Sequence, residues 1–93
     1  MSNKELKEKY NELFNLVKKS VNYWDPIGLL PSAPDDEYDM EIGRIVALLG
    51  KVDSINTLAE GIDEIFTKAF DWSFTKEECL PIAQKIWEDV RKI

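Results

Sequence analysis

Apolar residues recur at steps of three and four along most of the chain, and the rhythm breaks only in the stretch from Tyr23 to Ile42, YWDPIGLLPSAPDDEYDMEI. Before the break, Leu6, Tyr10, Leu13, Phe14, Val17 and Val21 form one stripe at 100° per residue, with Lys7, Glu8, Asn15 and Lys19 away from it. This spacing predicts a first helix over about Asn3 to Asn22, opened by the capping-box pair Ser2 and Glu5. After the break, Tyr38, Ile42, Ile45, Leu49 and Val52 predict a second helix over about Asp36 to Gly50. Asp35 and Asp36 suit its start, with Ser32 as a rival, because carboxylates satisfy free N–H groups at the positive end of a helix.

The second helix carries a further stripe of small residues, Gly43, Ala47 and Gly50, joined by Met40, while Glu37, Glu41, Arg44 and Lys51 mark its wet face. A helix apolar around most of its circumference is buried on several sides, which predicts a central position for this one. Asp53 or Ser54 caps a third helix whose Ile55, Leu58, Ala59, Ile62, Phe66 and Ala69 face inward, and the run Phe70 to Phe74 turns the chain. Thr75 and Glu78 form a second capping box opening a fourth helix toward Arg91, lined by Cys79, Leu80, Ala83, Ile86, Trp87 and Val90. Pro81 lies beyond the free first turn, so a kink or a late start is expected there. No segment alternates with a period of two. The expected fold is all-α: a compact four-helix bundle with a Pro-rich connection packed between its first two helices.

Ninety-three residues suit a single helical domain over 1–93. No run approaches the ~18 apolar residues of a membrane span, and the first twenty residues lack the apolar core of a secretory signal. Cys79 is the only cysteine, which excludes an intrachain disulfide and suits a cytoplasmic location. Histidine is absent, so sites built from Cys and His and nucleophile systems that need an imidazole base are excluded. The net charge of −6 is uneven: residues 23–72 hold eleven acids against three bases. That excess would repel a phosphate backbone, so nucleic acid is not an expected partner.

The acids of PDDEYDME invite a metal reading, yet Met40 stands where a calcium loop of this spacing needs glycine. Acids also belong at a helix start for electrostatic reasons, so no metal or other cofactor is expected. Asp39 points at a packed neighbour and needs donors; the Trp24 indole and the Tyr23 hydroxyl are the candidates, which makes Asp39 part of a structural latch. A general acid with raised pKa is the alternative role. Cys79 falls on the apolar stripe, where a cysteine acts as a small buried hydrophobe. Trp24, Asp25, Pro26, Gly28 and Asp39 are thus expected to hold the fold, while Asp36, Glu37, Tyr38 and Trp72 are expected to meet a partner.

The matches at Trp24, Asp25, Pro26, Gly28 and Leu29, then at Ala33, Pro34, Asp36, Glu37, Tyr38, Asp39 and Glu41, form a pattern W-D-P-x-G-L … A-P-x-D-E-Y-D-x-E. With the last helix IWEDV, it resembles a small all-helical bacterial family of unknown function. The resemblance implies a helical fold and a cytoplasmic bacterial protein, and it brings no catalytic residues. The functional expectation is a non-enzymatic, acidic protein-interaction module whose partner is another, basic protein; an immunity or antitoxin-like role is one form. The competing expectation is a small-molecule or divalent-metal-binding enzyme that uses Asp36, Glu37 and Asp39.

Overall fold

A computed structural model describes residues 3–28, 35–71 and 73–92. Four helices make it up: α1 (Asn3–Trp24), α2 (Asp39–Leu49), α3 (Ile55–Phe70) and α4 (Lys76–Arg91). Each packs on its neighbours in the chain, and α4 closes the ring against α1, while the backbones of the diagonal pairs stay apart and only side chains such as Trp24 and Phe66 meet across the core. The fold is the all-α four-helix bundle that the hydrophobic spacing predicts, with no strand among the described residues. Val17 and Val21 of α1, Ile42 and Ile45 of α2, Leu58, Ile62 and Phe66 of α3, and Cys79, Ala83 and Ile86 of α4 meet in the core.

The two caps legible in the sequence are formed. Ser54 Oγ accepts from the Thr57 N–H at 3.2 Å, and Thr75 Oγ1 accepts from the Glu78 N–H at 3.2 Å. Because the Thr75 cap holds, α4 starts at Lys76 and runs through Pro81 with no late start. Pro81 has no N–H, so the helical bond to the Glu77 carbonyl is missing at that turn. The Ser2 end of the first capping box lies outside the described residues.

The second helix departs from expectation in three ways. First, α2 starts at Asp39, because residues 35–38 form a separate turn closed by the Asp39 N–H on the Asp36 carbonyl at 3.1 Å. Asp35 and Asp36 therefore stand one turn ahead of the helix and do not cap it. Second, α2 is one side of a ring rather than its centre, packed on α1 and α3 only. Its small stripe is correspondingly loose: Ala47 and Gly50 are exposed, and a Cβ at Gly43 would meet only the Tyr10 hydroxyl, at 3.4 Å. The close approach is on α3 instead, where a Cβ at Gly61 would run into the Leu48 side chain. Third, Glu41 is buried, not wet. It lies three residues after Tyr38 and four before Ile45, both fully buried, and shares their side of the helix.

Helix α1 extends to Trp24, two residues past the predicted end. Its first two turns lie outside the packed region, with Leu6 and Tyr10 53% and 46% exposed. Ala69 is also exposed, and the half-buried Phe70 takes its place against the core.

Candidate functional site

The stretch that breaks the helical rhythm builds a latch. The Asp25 N–H closes α1 on the Val21 carbonyl at 2.8 Å, and Asp25 itself turns left-handed, at φ 45°. Pro26 follows and stops the helix. The Gly28 N–H then returns to the Asp25 carbonyl at 3.0 Å, a four-residue turn with proline second and glycine last. A left-handed conformation at a non-glycine residue costs on the order of 1–3 kcal/mol and persists only where its surroundings hold it. Tyr38 supplies the hold: its hydroxyl donates to Asp25 Oδ1 at 2.6 Å and accepts the Ile27 N–H at 3.2 Å. The Tyr38 ring is fully buried, edge-on to Phe66 and Phe70, and Trp24 packs edge-on to Phe66 at 5.4 Å.

Tyr38 was expected at a partner surface; its hydroxyl is instead the polar centre of an aromatic corner. One step along, Asp39 does face a packed neighbour, but its partner is the Lys18 ammonium at 3.0 Å rather than Trp24 or Tyr23. The hydrogen bond to Asp39 holds the Lys18 pKa above its ordinary value, and the charges of Asp39, Asp35 and Asp36 add to it against the cost of desolvation. Donors from α1 were accessible to sequence reasoning only through helix pairing, since Lys18 and Asp39 are 21 positions apart.

The acids of the motif do not converge. Asp36 and Glu37 are exposed on the turn before α2, while Asp39 points back to α1. Among the described residues no group of three or more potential metal ligands comes together. The acidic turn is tied to the end of α1, because Asn22 Nδ2 donates to the Asp35 carbonyl at 3.0 Å. Trp72 lies outside the described residues. Burial, with the charges of Asp63 and Glu78, pushes the Cys79 thiol up to about 12, which leaves it protonated at ordinary pH and poorly suited to nucleophilic work.

Tyr23, read from the sequence as a donor for Asp39, is instead a surface candidate. It is 94% exposed, off the core stripe of α1, and stands at the rim of an apolar groove of ≈ 630 Å³ between α1 and α4. Leu16, Trp24, Pro81 and Ile82 give the groove its apolar lining, and Lys19, Lys85 and Asp89 supply its charges. Lys85 and Asp89 pair with each other at 3.0 Å. The signal for Tyr23 was its phase: two residues after Val21, it lies about 200° round the helix from that buried side chain.

Residues 16–89 match the family described as Domain of unknown function (DUF1871), a span that includes the latch and all of α2 and α3. The chain matches no curated protein and no solved structure. Among the described residues no helix is long and apolar enough to cross a membrane.

Proposed function

The chain belongs to the DUF1871 family, and we propose that it works as a non-enzymatic protein-interaction module. The observation that carries this reading is Tyr23, an aromatic ring held almost wholly in water beside an apolar groove. Tyrosine gives a partner a large contact area with few rotors to immobilise, and such rings are enriched among the residues that dominate binding energy. The acidic turn adds selectivity. Asp35, Asp36 and Glu37 are exposed where α1 ends, so a partner with an apolar anchor and neighbouring basic residues is favoured. Asp36 and Glu37 keep the recognition role expected of them, and Tyr23 takes the one expected of Tyr38. An immunity or antitoxin-like role is one form of such a module.

Affinity capture from native lysate, read by mass spectrometry, tests this with the parent, Tyr23→Ala and Glu37→Lys side by side. The expected result is a partner held by the parent and lost from both variants, all three melting alike. If parent and variants capture the same proteins while a divalent cation or metabolite raises the parent's melting temperature, the reading is overturned in favour of a ligand-binding enzyme.

A further inference from the structure

Across the bundle from Tyr23, on the seam between α2 and α3, lies a second groove of ≈ 610 Å³. It adds a surface to the interaction reading and makes no use of the α1/α4 groove. Residues 23–72 contain eleven acids and only three bases, Arg44, Lys51 and Lys68, and all three bases line this groove. On α2 the lining residues Arg44, Ala47 and Leu48 follow the spacing i, i+3, i+4, and Lys51 continues it at i+7 in the turn just past the helix end. Gly61, Glu64, Ile65 and Lys68 repeat that spacing on α3. On the α2 side small and apolar residues thus lie between two bases, while on α3 Glu64 and Ile65 lie between Gly61 and Lys68.

The floor is open because its residues are small. Ala47 is exposed, and Leu48 leans over Gly61, where no side chain rises to meet an incoming one. The rim is positive: three cations stand against Glu64, whose contact with Lys68 at 3.8 Å joins two side chains that are mostly in water. Such an exposed pair is worth little and yields readily to a better partner.

We infer that this groove docks an amphipathic helix of another protein, one whose apolar stripe is flanked by aspartates or glutamates. The two lining stripes span seven residue steps, about 10 Å or two helical turns, and present the spacing that a helix of the same periodicity interleaves with. Charge fixes the sign of the occupant. In an otherwise acidic segment, the three bases gathered along this groove favour an acidic helix over a basic one. Nucleic acid is disfavoured by the apolar floor and by the surrounding excess of acids. The chain's own acidic turn is an unsuitable occupant, since residues 35–38 form a single turn without an apolar stripe.

The probe is a synthetic peptide of roughly 18 residues, long enough to become helical on docking, with leucines at i, i+3, i+4, i+7 and glutamates elsewhere. It is titrated into the ¹⁵N-labelled protein beside a lysine-for-glutamate counterpart and a scrambled glutamate peptide of the same composition. The expected result is saturable shifts over residues 44–51 and 61–69 with the ordered glutamate peptide only. Arg44→Glu with Lys51→Glu, both on exposed side chains, should keep the parent's circular dichroism and weaken binding by about tenfold or more. Tyr23→Ala should bind the peptide as the parent does, which separates this groove from the α1/α4 reading. Equal binding of the scrambled peptide, shifts along α1 and α4, or undiminished affinity in the double variant would each overturn the inference. So would self-association of the parent in sedimentation that the double variant abolishes, because the occupant is then a second copy.

Discussion

At its C-terminal end α1 runs Val17, Val21 and Trp24 into a closed corner, where Tyr38, Phe66, Phe70 and Phe74 surround the turn at Asp25. At its N-terminal end Leu6 and Tyr10 belong to the same stripe, yet both stand about half in water. The hydrophobic spacing is equal at the two ends. What differs is the length of the neighbours: α1 has 22 residues, about 33 Å, whereas α2 has 11, about 16 Å, and α4 has 16, about 24 Å. The shorter helices gather at the latched end, and the first turns of α1 extend beyond them. A periodic stripe therefore states which face is available for burial, and the neighbouring elements decide how much of it is used.

The sharpest test of this contrast sets Phe66→Ala against Leu6→Ala. Loss of the Phe66 ring, which touches Trp24, Tyr38, Phe70 and Phe74, should cost about 3–5 kcal/mol in denaturant unfolding. Leu6→Ala should stay within about 0.5 kcal/mol. Comparable losses would mean that the far end of α1 is packed after all. On the latch itself, Tyr38→Phe should cost about 1–3 kcal/mol, since it leaves the Ile27 N–H without its acceptor and removes the donor to Asp25. Tyr23→Phe, on the neighbouring but exposed tyrosine, should melt like the parent.

The two glycine notches give the next step down. Gly61→Leu should lower stability by about 1–3 kcal/mol by overpacking against Leu48, while Gly43→Ala should be neutral or stabilising by up to about 1 kcal/mol. The reverse order would restore the α1/α2 seam as the tight crossing. The smallest effect belongs to Asp39→Asn. Its pair with Lys18 is partly in water, side chains 23% and 37% exposed, so about 0.5 kcal/mol is expected. Because the fold raises the Lys18 pKa above 10.5, that contribution is complete below pH 10.5 and fades as pH rises past it. Melts of parent and variant across this range should converge; a gap that persists in strong alkali would show that Asp39 works through another donor.

Local chemistry was readable residue by residue. The four helices follow from the apolar spacing, and the Ser54 and Thr75 caps follow from hydroxyl-bearing residues placed three positions before the N–H they accept. A turn at Gly28 and a stop to α1 ahead of Pro26 follow from the geometry of those residue types, though the helix ends two residues later than the spacing predicts, and the buried Cys79 follows from its phase. Each depends on interactions within one turn of the chain, which a string of residues specifies directly.

Only the tertiary structure decided which side chains meet across helices. That Tyr38 closes on Asp25 rather than on a partner, that Asp39 meets Lys18, and that Glu41 goes inside all depend on the rotation of α2 against α1. The small stripe carries the same lesson, because Gly43 and Gly61 are equivalent as residues and differ only in what lies opposite. The gathering of Arg44, Lys51 and Lys68 into one groove joins positions on two helices, and the sequence lists them simply as sparse bases among acids. Contacts across helices are set by relative helix length, rotation and register, which emerge from packing the whole core at once and are written in no single segment.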